Sequence, residues 1–228
     1  RPAAAAGATV LAAGLAAFLL AGPEARSARL HYAAVGQEFV ARARSHYGQL
    51  DVTRSGAQVH FLYNGQLLAW TGDRRRAEEA VHLVLHLRPR PTRALLIGGA
   101  AGGAADEMVR RTTASVTCVE LDPLIGEEGH EWSDAIPPAC RPVVATDGCL
   151  FLRRAPERFD LILLDLPLPV GAQMNRFYTV EFFRTARRAL TPGGALAFAC
   201  GETTQYISPE QADVLACLRA TLARVFAH

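Results

Sequence analysis

Apolar spacing changes character several times along the chain. Residues 3–22 (AAAAGATVLAAGLAAFLLAG) form an uncharged run about the length a helix needs to cross a bilayer. Arg26, Arg29, Arg42 and Arg44 follow it, and the bias of basic residues toward the cytoplasmic side then sets the soluble part there. The expectation is a membrane helix over 1–23, a membrane-associated protein and an α/β domain in the cytoplasm. The run is alanine-rich and only moderately apolar, so a signal peptide or a soluble helix is the alternative. A first residue other than methionine also suggests a chain that begins inside a longer one.

Over 50–70 (LDVTRSGAQVHFLYNGQLLAW) the pattern becomes β-like. Two β-favouring stretches flank Ser55-Gly56, and Asn64-Gly65 is a strong turn signal, which predicts a small hairpin unit over 28–72. Residues 73–87 then change period. Ala77, Ala80, Val81, Val84 and Leu85 make one helix face, and Pro89 and Pro91 end it. From residue 93 strands and helices alternate. The strand candidates are 94–98, 115–120, 142–147, 159–165 and 195–200; helices are expected at 104–111, 124–133, 148–154, 179–190 and 209–225. That alternation predicts a parallel α/β sheet, covered on both faces and filling 73–228, with ligands at the carboxyl ends of its strands.

Composition changes this picture little. All 24 basic residues are arginine, yet the net charge is only +2, so no nucleic-acid partner is expected. Arg74-Arg75-Arg76 is short and followed by Glu78 and Glu79, as at a solvated helix start. Five cysteines (118, 140, 149, 200 and 217) show no paired short spacing and read as reduced small hydrophobes, with Cys118 and Cys200 in buried strands. Glu79, His82 and His86 fall together on the helix over 73–87. No HExxH and no further ligand accompany them, so no metal is assigned.

The candidate chemistry lies at strand ends. Gly98, Gly99, Gly102 and Gly103 follow the first strand, where glycine lets a ligand approach the backbone and the next helix offers free N–H groups. Glu120 ends the second strand, about 20 residues on, placed to accept ribose hydroxyls. Asp147-Gly148 ends the third, where a carboxylate could receive an adenine amino group. Asp165 ends the fourth and could orient an amine or act as its base. Each carboxylate alone also reads as a helix cap or turn residue; three in register after a glycine loop point to a nucleoside-type site. The glycines of 98-GGAAGG-103 come in pairs, without the strict G-x-G-x-x-G spacing, and no lysine is present for a Walker loop. An adenosylmethionine-type ligand is therefore favoured over NAD.

These residues resemble the spermidine synthase (polyamine aminopropyltransferase) family, in particular its membrane-associated or fused versions. The resemblance runs from about Ser45 to Phe226 through 63-YNG-65, 73-DRRRAEEAVH-82, 96-LIGGAAGG-103, 119-VELD-122, 146-TDG-148, 160-DLILLDLPLPVG-171 and 178-YTVEFF-183. It implies a Rossmann-like, methyltransferase-type fold and a decarboxylated S-adenosylmethionine substrate (or S-adenosylmethionine itself) with an amine acceptor. By resemblance Glu120 takes the ribose, Asp147 the adenine amine and Asp165 helps deprotonate the attacking amine. Asp73 and Glu79 would contribute to holding that amine. A homodimer through the hairpin unit is implied, or, with a membrane segment, contact with lipid or a membrane-protein partner. The chain departs from the family pattern at Ala101 and Leu168, where acidic residues are usual, at Ala77 in place of a tyrosine, and at Gly48 and Leu68 in place of glutamines. It also stops where the fold normally adds a last antiparallel strand pair. Three functions follow as expectations: an aminopropyl-transferring enzyme, a methyltransferase on the same fold, or a catalytically degenerate, membrane-tethered structural or regulatory domain.

Overall fold

A computed structural model describes residues 22–71, 74–125, 140, 143–166, 169, 172–200 and 207–226. Helix α1 (Pro23–Ala34) leads into four antiparallel strands, β1 (Glu38–Arg44), β2 (Gln49–Ser55), β3 (Gln58–Tyr63) and β4 (Gln66–Trp70), in the order β1-β2-β3-β4. Asn64 and Gly65 both adopt positive φ, 52° and 78°, as a two-residue hairpin turn demands. The β stretches and turns read from the sequence are present, while α1 and β1 extend the unit beyond a hairpin. Alternate residues Leu50 and Val52 of β2 join Phe61 and Ala69 in a small core of their own.

Asp51 points out of that core to tie the unit together. It is buried and accepts from Tyr32 Oη at 2.7 Å and from Arg42 Nε and Nη2 at 2.6 and 2.8 Å. Burial works against its charge, but the bonds from Arg42 and Tyr32 outweigh it and hold the carboxyl below its ordinary range. The same burial and the facing Asp51 push the Tyr32 phenol up to about 12.

Helix α2 (Arg74–Leu87) then opens the α/β layer. Its strands are β5 (Arg93–Ile97), β6 (Ser115–Glu120), β7 (Val144–Ala145), β8 (Phe159–Leu164) and β9 (Leu190–Phe198). Between and after them run α3 (Ala104–Arg111), α4 (Gly148–Arg154), α5 (Ala172–Asn175), α6 (Val180–Ala189) and α7 (Pro209–Ala223). All five strands are parallel, in the order β7-β6-β5-β8-β9. Because side chains alternate across a strand, Ala94 and Leu96 pack with Val81, Met108 and Leu161 on one face, while Leu95 and Ile97 pack with Ile162, Leu164 and Phe183 on the other. The chain leaves β5 toward β6 and returns on its other side at β8. The crevice where strand order reverses therefore lies at the carboxyl end of β5.

Several expectations change. The fifth strand begins at Leu190, ahead of the predicted Ala195, because Leu190 pairs with Phe159 before an irregularity realigns Ala195 with Leu161. Cys200 is exposed beyond the end of β9, not buried in a strand, whereas Cys118 is buried as expected. The helix expected over 124–133 lies almost wholly outside the described residues.

The membrane expectation is corrected. No helix among the described residues is long and apolar enough to cross a membrane. The first of them, α1, has 12 residues, about 18 Å of helix against a hydrocarbon core of about 30 Å, and carries Glu24, Arg26 and Arg29. Residues 1–21, where the spanning run was read, lie outside the described residues. The membrane helix, the membrane-associated location with a cytoplasmic domain, and the lipid or membrane-protein partner are accordingly withdrawn.

Candidate functional site

Hydrogen bonds at the sheet's carboxyl edge carry the ladder one residue past each strand and so fix the groups that follow. Gly98 N–H donates to Val119 O at 2.9 Å, Asp165 N–H to Ile97 O at 3.0 Å, and Thr146 N–H to Glu120 O at 2.9 Å. Gly98, Glu120 and Asp165 are thereby held side by side around the reversal point, with Asp147 next to them beyond β7.

The glycine turn is required by its geometry. Gly98, Gly99 and Gly103 have φ of 76°, 67° and 83°, values that L side chains rarely adopt. The Asp165 side chain also lies directly on the turn. A Cβ on Gly99 would stand 2.1 Å from Asp165 Oδ2, and one on Gly98 would stand 2.8 Å from Asp165 O. After a short 3₁₀ turn, Ala100–Gly102, helix α3 starts at Ala104.

Glu120 sits behind the turn, 7% exposed, and accepts the Ala100 N–H at 2.9 Å. Burial pushes its carboxyl up from the ordinary 4.5 to about 7, and the negative charges of Asp165 and Asp122 push the same way. One strongly buried carboxyl is thus fixed by the glycine turn.

Asp147 is the N-cap of α4. Its Oδ1 accepts from Leu150 N–H at 2.9 Å, and its Oδ2 pairs with Arg176, whose guanidinium lies 4.8 Å from the Phe177 ring centre. Of the two readings made from the sequence, the cap role is the one these contacts show. Gly148 packs under Ile97 and Phe177, where a Cβ would stand 2.6 Å from Ile97 Cγ2.

Asp165 is 13% exposed and pairs with Arg76 from the first turn of α2, Nη2 to Oδ1 at 3.2 Å. Arg76, read from sequence as part of a solvated helix start, therefore belongs to the site. Glu79 is exposed on the same helix, and Asp73 and Leu168 lie outside the described residues, as does the Ala101 side chain. The structure brings together Gly98, Gly99, Gly102, Glu120 and Asp165; among the described residues Glu79 makes no hydrogen bond or ion pair. His82, grouped with Glu79 and His86 by spacing, bonds instead to Glu107 Oε1 at 2.8 Å, and the His86 ring meets the His82 carbonyl at 2.7 Å. Among the described residues no three metal-capable side chains cluster.

Asp122 was given no role from the sequence although it closes the motif 119-VELD-122, two residues after Glu120. It is buried and accepts from Ser45 Oγ at 2.6 Å, Tyr63 Oη at 2.8 Å and Leu124 N–H at 3.0 Å. Ser45 and Tyr63 come from the antiparallel unit, so Asp122 fastens that unit to the strand that carries Glu120. Burial and the facing Asp122 hold the Tyr63 phenol above its ordinary range.

A glycine turn, a buried carboxyl behind it and two further aspartates at the switch point define an α/β domain of the S-adenosylmethionine-binding type. The chain belongs to the spermine/spermidine synthase family: residues 75–215 match the family described as "Spermine/spermidine synthase domain". It is 34% identical over 156 residues to polyamine aminopropyltransferase 2 of Hyperthermus butylicus, covering 65% of this chain and 50% of that protein. With the polyamine aminopropyltransferase of Corynebacterium efficiens the identity is 32% over 180 residues, covering 73% and 33%. The chain thus spans between a third and a half of the curated relatives it matches. The fold is similar to that of the spermidine synthase of Thermotoga maritima, TM-score 0.69 at 19% identity, covering 83% of this chain and 65% of that one. A spermidine synthase solved with the transition state analogue AdoDATO gives a TM-score of 0.67 at 19% identity, covering 83% and 64%. Membership is in the family as such; its membrane-fused versions, read from residues 1–23, find no support in any described helix.

Proposed function

We propose that the chain is the nucleoside-binding domain of an aminopropyltransferase-type enzyme. It binds an S-adenosylmethionine-type sulfonium nucleoside, the decarboxylated form being the one the family implies, and passes its aminopropyl arm to an amine. The observation that carries this reading is the placement of the Asp165 carboxylate against Gly99, with Glu120 bonded to the next residue's N–H. A nucleoside whose ribose meets Glu120 and whose adenine meets Asp147 directs its sulfonium arm toward Asp165. Asp122 acts by holding the β6 end in place through Ser45 and Tyr63.

The chemistry asks little beyond position and a proton acceptor. A neutral amine nitrogen attacks the methylene next to the positive sulfur. The C–N bond forms as the C–S bond breaks, the electron pair goes to sulfur, and methylthioadenosine leaves. The nitrogen's extra proton passes to Asp165 or, through it, to solvent. Gly98 and Gly99 carry no Cβ, which lets the Asp165 side chain rest against the turn where the arm arrives.

The test is methylthioadenosine release on mixing the protein with decarboxylated S-adenosylmethionine and a diamine, beside calorimetric binding of methylthioadenosine alone. Release that disappears in Asp165→Asn supports the transferase. Binding without release leaves a nucleoside-binding domain without catalysis, and methyl transfer from intact S-adenosylmethionine moves the assignment to a methyltransferase.

A further inference from the structure

The amine end of the site has an unexpected polarity. The turn 98-GGAAGG-103 contains no acidic residue, so the carboxylate resting on it is Asp165. That carboxylate already faces a guanidinium, Arg76 Nη2 at 3.2 Å. Arg76 belongs to the run Arg74-Arg75-Arg76 that opens the 14-residue helix α2, whose first turn has no acidic residue and whose amino end adds its own positive potential. Glu79, one turn on, is exposed, and among the described residues it forms no ion pair with this cluster. A guanidinium stays protonated at any working pH and presents a planar donor fork suited to a carboxylate. A purely cationic amine arriving at Asp165 would meet Arg76 as a like charge. A group carrying both ammonium and carboxylate meets a matched partner for each.

We infer that Arg76 and Asp165 together recognise an amino-acid-type zwitterion, Asp165 taking the ammonium and Arg76 the carboxylate. Arg76 is 57% exposed and Asp165 13%, so the outer residue swings while the inner one stays on the turn. Its displacement from Asp165 is offset by the incoming ammonium, which takes its place on the mostly buried carboxylate. The inference rests on the nucleoside reading above and specifies the ligand chemistry beside it. The zwitterion has two sources: the methionine tail of intact S-adenosylmethionine, or an amine acceptor that bears a carboxylate.

Calorimetric titration separates them. In the donor arm, S-adenosylmethionine, its decarboxylated form and methylthioadenosine are titrated into the wild-type chain and into Arg76→Ala. In the acceptor arm, ornithine and 1,4-diaminobutane, which differ by one carboxylate, are titrated in the presence of methylthioadenosine. The expected result is a preference of about tenfold or more for the carboxylated member of one pair. Arg76→Ala should abolish it and Arg76→Lys restore it in part, with methylthioadenosine affinity unchanged throughout. Arg76 is on the surface, and an unchanged melting temperature shows that the variants fold. Equal affinities within both pairs, or a preference that survives Arg76→Ala, overturn the inference alone. Failure of methylthioadenosine to bind the wild-type chain overturns the nucleoside reading itself, and with it the inference.

Discussion

The two ends of the candidate site are built differently. At the nucleoside end each polar group has a backbone anchor: Glu120 the Ala100 N–H, Asp147 the Leu150 N–H beside its pair with Arg176, and the turn three glycines at positive φ. At the amine end Asp165 is fixed, but its partner is a long, half-exposed arginine from another element. A backbone donor cannot rotate away, whereas a half-exposed arginine side chain can. The rigid end suits a ligand held in one pose, and the adjustable end suits a group that moves during reaction.

The sharpest way to separate the two ends is Asp165→Asn. We expect methylthioadenosine release to fall by about 100-fold to 10,000-fold, the range for loss of a general base, with methylthioadenosine affinity nearly unchanged. A comparable loss of nucleoside affinity would show that the ends are not independent. Glu120→Gln should do the reverse and weaken methylthioadenosine binding by about 100-fold, the cost of losing a charged acceptor for the ribose hydroxyls. Calorimetry reads this directly, and unaltered affinity would remove Glu120 from the nucleoside end.

The raised value of Glu120 gives the rigid end a pH signature. Only the carboxylate accepts hydroxyls well, so nucleoside affinity should rise as pH passes upward through about 7. Stability of the free protein should move the other way. Below the ordinary glutamate value of 4.5 both folded and unfolded chains are protonated at this residue. Between 4.5 and about 7 the unfolded chain has lost the proton and the folded chain has kept it, so folding is progressively disfavoured. At about 1.4 kcal/mol per unit of pKa difference the accumulated penalty is about 3 kcal/mol above that window. Glu120→Gln removes it, so denaturant melts at pH 6 and pH 8 should differ less for the variant than for the wild type. Identical differences would show that Glu120 is not buried as a carboxyl.

The smallest effect concerns the clamp between the two units. Tyr63→Phe removes one of three bonds to Asp122 and should cost about 1 kcal/mol, read from chemical denaturation. A shift confined to stability makes Tyr63 a structural fastening; a shift in methylthioadenosine affinity as well would show that the antiparallel unit positions β6 and Glu120.

Much of this arrangement was legible before any coordinates. The strand ends 94–98, 115–120 and 159–165 are written as apolar runs closed by Gly98, Glu120 and Asp165. A buried parallel strand admits few other patterns, and its carboxyl end is where polar groups reach the crevice. The antiparallel unit was only half legible. Asn64-Gly65 announces its turn, but α1 shows no clean apolar face, burying only Ala28 and Tyr32. Arg74-Arg75-Arg76 is the exposed helix start that the sequence suggests, but the pairing of Arg76 with Asp165 was missed, because nothing local says that a residue 89 positions away lies opposite. Asp122 was passed over for the same reason: its partners Ser45 and Tyr63 are 77 and 59 residues distant.

The sequence by itself determined the parallel sheet, the glycine turn and the carboxylates at the strand ends, because these follow from short-range periodicity and from which residues tolerate positive φ. Only the tertiary structure decided that Asp165 rests on Gly99 facing Arg76, that Asp122 clasps the antiparallel unit, and that Glu120 holds its proton to about pH 7. Each of those depends on burial and on charges brought together across long stretches of chain, quantities that have no local signature.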